Sequence, residues 1–133
     1  MIDLIGMFKH RIRTKTTTID LNQAAGTYTL FTGVTQDVIA ESLVINMPNH
    51  AAGGALTGIT IQTDDATPQV FIGAAQGLVA NLTAEAQLAW TGAIRLIAGK
   101  LIRLTIVGGA EGAAHVCGVV ISYRAIASGG YVA

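Results

Sequence analysis

The residues in this sequence that could do chemistry are three histidines, one cysteine and eight carboxylates. His115 and Cys117 are two residues apart, a spacing that places both side chains on one face of a β-strand, as a thiolate–imidazole pair requires. Nothing near them in the sequence suggests a third group that would orient the imidazole. We therefore expect Cys117 to be a buried, unreactive thiol and His115 to be an ordinary strand residue.

The same residues do not predict a metal site. His10, His50 and His115 are widely separated, and one cysteine supplies neither a zinc site nor an intrachain disulfide. Asp64 and Asp65 are adjacent, so their side chains point to opposite sides of an extended segment. We interpret these two aspartates as turn residues rather than as ligands of a shared cation.

The remaining carboxylates and the glycine doublets form no motif for catalysis or for cofactor binding. Glu85 and Glu111 are isolated carboxylates, so they do not form a general acid/base pair. The glycine doublets at 53–54, 108–109 and 129–130 stand outside any phosphate-binding or dinucleotide-binding motif. We expect no enzymatic activity and no cofactor.

Composition indicates one domain with much covered surface. The chain has 133 residues, of which 51% are hydrophobic and only 12% are charged. That is a low charge density for a monomer whose whole surface faces water, so we expect partners to cover part of it.

Every apolar run is interrupted too soon to span a bilayer. In MIDLIGMFKHRIR the basic residues follow the apolar ones, the reverse of a secretory signal.

Charge is concentrated near the N-terminus. Lys9, Arg11, Arg13 and Lys15 fall within seven residues, whereas residues 16–133 contain four basic and seven acidic side chains. We divide the chain into a basic and apolar arm, residues 1–13, and one domain, residues 14–133. The arm is interpreted either as a contact with an acidic surface of another subunit or as a solvated leader.

Two further roles for the arm have weak support. Four cations with one nearby aromatic residue are a small footprint for nucleic acid, and the preceding apolar residues fit a subunit contact as well as a membrane-surface helix. We expect no nucleic acid and no membrane partner. The expected contacts with a partner protein or a neighbouring subunit are Ile5, Phe8, Lys9, Arg11 and Arg13 of the arm, and Tyr131 and Val132 of the C-terminal tail.

The rest of the chain reads as β-strands separated by turns. Runs rich in β-branched and apolar residues occupy residues 14–21, 27–34, 38–47, 56–63, 68–73, 93–98, 101–107 and 115–126. Residues 76–90 have no clear period, so we predict a loop or one short helical turn there. Short strands at even spacing, without helical periodicity, predict an all-β fold: an antiparallel β-sandwich, jelly-roll-like, with an extended N-terminal arm.

The last predicted strand has a distinct inward face. His115, Cys117, Val119, Ile121 and Tyr123 alternate along it, so their side chains share one side of the sheet. We expect this side to face the core.

Three stretches of the sequence resemble a known family. GLVANLTAEAQLAW is followed by an apolar hairpin through Gly99-Lys100 and then by CGVVISYRAIASGGYVA, and TKTTTIDLNQAAGTYTLFTGVT forms an opening strand pair. These stretches resemble small virion proteins of tailed bacteriophages, in which a G-x-V-x-x-Y strand precedes a Ser/Gly turn and a Val-Ala terminus. The resemblance covers the chain from about residue 14 onward.

The resemblance implies a head decoration, or cement, protein. Such a protein is a β-sandwich that oligomerises, most often as a homotrimer, and bridges capsomers of the major capsid protein on the outside of the head, after assembly in the host cytoplasm. Two alternatives stay open. One is a carbohydrate- or receptor-binding virion module, for which Trp90 and Tyr28 are the candidate stacking residues. The other is a minor tail or tail-tube protein.

Overall fold

The structure is a computed structural model, and it describes residues 11–48, 54–83, 86–126 and 128–133. In these residues the chain forms nine β-strands and a three-residue 3-10 helix, Val79–Asn81. The strands are β1 (Arg13–Asp20), β2 (Gly26–Val34), β3 (Val38–Asn46), β4 (Gly58–Thr63), β5 (Val70–Ile72), β6 (Gln87–Leu96), β7 (Leu101–Val107), β8 (Val116–Ala125) and β9 (Tyr131–Val132). Within the described ranges, no helix has the length and apolarity that crossing a membrane requires.

The strands form two antiparallel sheets whose order defines the fold. One sheet has the order β1-β8-β3-β6, and the other has the order β5-β4-β7-β2-β9. The pairs β1·β8, β2·β7, β3·β6 and β4·β5 are all antiparallel, so the first half of the chain pairs with the second half in reverse order. This is the arrangement of an eight-stranded jelly roll, with β9 added at one edge. The predicted antiparallel β-sandwich of jelly-roll type is confirmed.

Strand β8 illustrates why this sequence forms a sandwich. Its side chains alternate between buried and more exposed positions along nearly the whole strand, the period of a strand with one face on the core. Cys117, Val119, Ile121 and Tyr123 are buried, as is His115 immediately before the strand. The predicted inward face is therefore confirmed. Because β8 lies between β1 and β3, these residues reach the centre of the core.

The core lies between the two sheets. The side chains that are at most 1% exposed include Ile59, Ile61, Ile102, Leu104 and Ile106 from the five-stranded sheet, and Leu43, Ile45, Val119 and Ile121 from the four-stranded sheet. Burial of each such side chain contributes about 1.5–3 kcal/mol relative to leaving it in water. This burial holds the sheets face to face, and the fold needs no disulfide because Cys117 is a free thiol.

The prediction for residues 76–90 is correct only in part. A short helical turn is present at Val79–Asn81, but β6 already begins at Gln87. Leu88 is buried and Trp90 packs against the core, so these two residues carry the inward face of the new strand. Alanines on either side of Leu88 weaken the alternation in the sequence, and pairing of this segment with β3 decides its conformation.

The predicted hairpin through Gly99 and Lys100 is wrong. Strand β6 belongs to the four-stranded sheet and β7 to the five-stranded sheet, so the link crosses from one sheet to the other. Gly99 has a φ of 86°, a conformation that favours glycine. A tight turn between two apolar runs is typical of both a hairpin and a crossover. The choice depends on which distant strands are available as partners.

The predicted boundary of the domain lies close to the first strand. Strand β1 begins at Arg13, one residue before the predicted start, and Arg13 is opposite Tyr123 in the β1·β8 ladder. Residues 1–10 are outside the described ranges. The division of the chain into an arm and one domain stays a prediction.

Gly77 provides a test of the packing between the β5–β6 connection and β4. The N–H of Ile59 donates to the carbonyl of Gly77 at 2.9 Å, and a Cβ on Gly77 would lie 1.8 Å from the carbonyl oxygen of Ile59. We expect Gly77→Ala to lower the free energy of unfolding by about 2 kcal/mol or more, because the connection must move away from the strand.

Gly118→Ala is the matched control for this prediction. A Cβ on Gly118 would meet nothing within 4 Å, so we expect this variant to be as stable as the parent protein. Urea denaturation measures both values. Equal stability of the two variants would contradict the close contact between Gly77 and β4.

Candidate assembly surfaces

Cys117 and His115, whose spacing would suit a thiolate–imidazole pair, are both buried inside the sandwich, and the expected burial of Cys117 is confirmed. Cys117 and His115 are both 0% exposed, and the Cys117 Sγ lies 3.3 Å from the Met47 Sδ. Burial raises the pKa of the Cys117 thiol to about 12, and the carboxylates of Asp20 and Glu111 add to this effect. The thiol is therefore protonated at neutral pH and has no path to a substrate, as expected for a structural cysteine.

The described residues contain no cluster that could hold a metal ion. No group of three or more histidine, cysteine, aspartate or glutamate side chains is assembled in these ranges. Of the three histidines considered in the sequence, only His115 is described, while His10 and His50 fall outside the described residues.

Three aspartate side chains accept hydrogen bonds from backbone N–H groups and so hold segments of the chain together. The Oδ1 of Asp37 accepts the N–H of Ala98 at 2.9 Å, and the Oδ1 of Asp64 accepts the N–H of Leu101 at 2.7 Å. At the opposite end of the sandwich, the Oδ1 of Asp20 accepts the N–H groups of Asn22 and His115 at 2.9 Å each. The role of Asp64 as a turn residue, predicted from the sequence, is confirmed.

Two of these carboxyl groups have lowered pKa values. The N–H donors of His115 and Asn22 lower the pKa of Asp20, because they stabilise the charged carboxylate. The N–H of Ala98 lowers the pKa of Asp37, and the Arg95 guanidinium lowers it further. These acids hold loops in place and have no geometry that suits acid/base catalysis.

One end of the sandwich carries most of the charged side chains of the domain. It consists of the described residues in the connections that follow even-numbered strands: 35–37, 64–69, 97–100, 126 and 128–130. We call it the ion-paired end, because Arg95, Arg103 and Arg124 form ion pairs with carboxylates here. The closest atoms are 2.5 Å apart for Arg95 Nη2 and Asp37 Oδ2, 2.6 Å for Arg124 Nε and Glu41 Oε1, and 3.4 Å for Arg103 Nη2 and Asp64 Oδ2.

The other end has a different surface. It consists of the described residues in the connections that follow odd-numbered strands: 21–25, 47–48, 54–57, 73–83, 86 and 108–115. Among the described residues of these connections, none that is exposed carries a charge, and alanine and glycine predominate. Glu111 is described but only 1% exposed, and Glu85 is outside the described ranges. We call this surface the uncharged end.

Large apolar side chains are exposed at the uncharged end. Leu78 is 53% exposed, Val107 is 45% exposed and Val116 is 52% exposed. Leu78 and Val107 also line an apolar depression of about 120 Å³, together with Thr57 and Ala74. Val116 is opposite the half-buried Asp20 in the β1·β8 ladder, whereas the residues that line the depression beside Leu78 and Val107 are all uncharged. An exposed apolar surface of this kind is typical of one that another protein covers.

The structure describes four of the seven residues that were predicted to bind a partner, and three of these four are exposed. Ile5, Phe8 and Lys9 lie outside the described residues, whereas Arg11 and Arg13 are described and exposed. Within the tail, Tyr131 is 43% exposed, and Val132 is only 3% exposed because it packs in the core of its own chain. A contact between the tail and another subunit stays a prediction, and Tyr131 is the side chain available for it.

The tail is held by β2. Residues Val132 and Tyr131 are opposite Gly33 and Val34. The N–H of Thr32 donates to the carbonyl of Ala133 at 2.8 Å, and the N–H of Ala133 donates to the carbonyl of Thr32 at the same distance. The C-terminus is thus an ordered edge of the five-stranded sheet.

One edge of the four-stranded sheet is basic, and the sequence indicated its cations but not their place on one strand. Arg13 and Lys15 belong to β1, an outer strand of the four-stranded sheet, and both are exposed, as is Arg11 just before it. The sequence placed Arg13 in an arm and left Lys15 in the domain. The pairing of residues 13–20 with β8 shows that the two cations form part of one strand.

The two candidate stacking residues for a carbohydrate are not adjacent. Trp90 is half-buried on β6 and makes an edge-to-face contact with Phe71, with ring centroids 4.7 Å apart. Tyr28 is half-buried on β2, and its hydroxyl donates to the carbonyl of Ala24 at 2.6 Å. Because β6 lies over β5, and β2 lies near β1, the rings are at opposite sides of the sandwich and share no platform.

Two solved structures with a similar fold come from phage capsids. A chain in the acid-stable capsid of the Helicobacter pylori bacteriophage KHP30 matches with a TM-score of 0.64 and 9% identity, over 93% of this chain and 94% of that chain. A chain in the capsid asymmetric unit of the cyanophage Pam1 matches with a TM-score of 0.59 and 16% identity, over 89% and 87%. The protein shares their fold. No family model and no curated protein matches the sequence.

The hydrogen bonds to the carboxylates of Asp20 and Asp37 predict how stability depends on pH. Because the folded pKa values of Asp20 and Asp37 are lowered, their contribution is fully present above the unfolded value of about 3.9. It is lost as the pH falls through the folded values. We expect the free energy of unfolding to be nearly constant from neutral pH to about pH 5 and to decrease below it.

Asp37→Asn tests this expectation. The variant loses the charge that Ala98 and Arg95 stabilise, so we expect lower stability than the parent at neutral pH and a smaller further loss in acid. Urea denaturation across the acid range measures both effects. An identical acid dependence in parent and variant would exclude Asp37 as a source of the loss.

Proposed function

We propose that this protein is a structural component of a bacteriophage virion, and more specifically a head decoration protein without enzymatic activity. The observation that carries the proposal is the jelly-roll match to chains from two phage capsids, which extends over most of both chains in each case. The matched chains are therefore of about the same length as this one. A small jelly roll of this size is suited to occupying a site on a shell.

The surface supports an assembly role. Only 12% of the residues are charged, and the arginines of the ion-paired end are engaged with carboxylates of the same chain. The uncharged end exposes Leu78 and Val107, whose apolar depression has only uncharged lining residues, so a neighbouring subunit can cover it without desolvating an ion there. We propose that this end contributes to contacts between copies, with a homotrimer as the assembly.

The proposed mechanism is mechanical. A trimer presents every capsid-binding surface three times, so the second and third contacts form at a high effective concentration after the first. Weak individual contacts then hold the oligomer on the outside of the head. By spanning adjacent capsomers of the major capsid protein, the trimer opposes their separation.

Purified virions test the proposal. We expect the protein on the head surface, in a copy number that follows the icosahedral lattice, and we expect purified protein to restore full occupancy on heads that lack it. Cryo-electron microscopy and quantitative mass spectrometry measure location and copy number. A few copies confined to the tail, with the symmetry of a tail ring, would replace the decoration role with the tail alternative.

We also propose that the N-terminal arm binds the capsid, and a truncation tests this role. Removing residues 1–12 leaves all of β1, which begins at Arg13, so we expect the sandwich to fold with an unchanged melting temperature. Occupancy on heads should fall, because Ile5, Phe8, Lys9 and Arg11 are lost. The occupancy should also depend less on salt, because the truncated form lacks the charges of Lys9 and Arg11. In the full-length protein the attraction of these charges is screened as the Debye length falls from about 10 Å at 0.1 M to about 3 Å at 1 M.

The full-length protein at matched concentration is the control. Sedimentation of heads with bound protein, at low and high salt, gives the occupancy of both forms. Equal occupancy and equal salt dependence would show that residues 1–12 are a passive leader.

A further inference from the structure

The outer edge of β1 has the properties of a docking site for another strand. We propose that β1 binds an extended acidic segment of another virion protein, which adds to the four-stranded sheet as a fifth strand. The source of the segment rests on the proposed function, since it would come from the shell on which the protein sits. The recognition itself rests on the geometry and charge of β1.

Strand β1 differs from the other sheet edges in the described part of the chain. Strands β5 and β9 are edges of only three and two residues. Strand β6 has ten residues, but its ladder with β3 is interrupted between Ala40 and Ser42, and the Gln76 side chain donates to the Ala89 carbonyl at 3.2 Å. Strand β1 has eight residues in an uninterrupted register with β8. Long regular edges readily accept another strand.

The ladder determines which backbone groups of β1 are open. The N–H of Leu21 donates to the carbonyl of His115 at 3.0 Å, immediately after the pair Asp20 and Val116. Hydrogen bonding alternates along an antiparallel strand with a period of two residues. The odd-numbered residues of β1 therefore bond to β8, and the N–H and C=O groups of Thr14, Thr16 and Thr18 point to the open edge.

The charges of β1 determine which segment fits there. Arg13 and Lys15 are exposed and alternate with the three threonines. Neither residue takes part in the ion pairs found between described side chains. A strand with carboxylates beside Arg13 and Lys15, and with small or β-branched residues beside the threonines, would gain cross-strand pairs on both faces.

The same charges disfavour pairing between two copies of β1. Antiparallel pairing about Thr16 would bring the Lys15 side chains of the two copies into diagonal positions, about 7–8 Å apart. Basic residues on an exposed edge are a common protection against such self-association. The edge thus selects against its own copy and in favour of an acidic strand, which is why we assign the site to a different protein.

Two synthetic peptides test the edge without a virion. One is a short capped peptide that alternates valine with glutamate, and the other alternates valine with lysine. We expect the glutamate peptide to slow hydrogen exchange at the amides of Thr14, Thr16 and Thr18 in the full-length protein. We expect the lysine peptide to bind at least about tenfold more weakly, because its charges repel Arg13 and Lys15.

Substitutions at position 16 separate strand addition from general electrostatic attraction. Thr16→Pro removes an N–H that points away from β8, and proline is tolerated on edge strands. It should weaken binding of the glutamate peptide at least about tenfold. Thr16→Val keeps the N–H and should bind as the parent does. Thermal unfolding verifies that both variants are folded.

A charge reversal covers the case in which Thr16→Pro fails to fold. Lys15→Glu leaves the backbone unchanged and should shift the preference from the glutamate peptide toward the lysine peptide. Unchanged exchange at the three amides under saturating glutamate peptide would overturn the proposal, as would equal binding by the proline and valine variants. Self-association through β1 would also overturn it. None of these results would change the copy number on virions, so the proposed function is tested separately.

Discussion

Burial of one apolar face from each sheet against the other is the interaction on which the rest of this protein depends. The residues that make it come from distant parts of the chain, since β1 at residues 13–20 pairs with β8 at residues 116–123. Closing loops of this length costs conformational entropy, and only the combined burial of the two faces outweighs it. The jelly-roll pairing of the first half with the second half satisfies this requirement for all eight strands at once.

The sandwich also determines what the connections must do. Every connection lies at one of two ends, because consecutive strands run in opposite directions. At each end, a carboxylate replaces backbone partners that the strands no longer provide: Asp37 for Ala98, Asp64 for Leu101 and Asp20 for His115. Exposed ion pairs add little stability on their own, so we attribute the main role of these aspartates to their bonds with backbone N–H groups.

In the described part of the chain, several side chains that could do chemistry serve the structure. Cys117 and His115 contribute to the core, and the aspartates fasten connections. The features left for other molecules are an uncharged end, an exposed tyrosine in the tail and a basic sheet edge. These are extended surfaces of low charge density, which is the kind of surface that repeated contacts in a large assembly require.

Much of the fold was predictable from the sequence because strand periodicity is a local property. Alternation along residues 115–123 predicted the inward face of β8, and β-branched runs with turn residues predicted most strands and the sandwich class. The start of β6 at Gln87 was not predictable, since alanines around Leu88 obscure the period. Nor was the crossover at Gly99, because a short turn has the same sequence in a hairpin and in a link between sheets.

Some properties of the surface were also predictable from the sequence, whereas others depend on the tertiary structure. Composition alone indicated that partners cover part of the protein, and the cluster of cations near the N-terminus was visible in the sequence. Only the tertiary structure gathered the alanine- and glycine-rich connections at one end, buried Val132 while leaving Tyr131 exposed, and made Arg13 and Lys15 part of an open edge. The physical reason is that side-chain periodicity is encoded residue by residue, whereas sheet edges and ends exist only after strands far apart in sequence have paired.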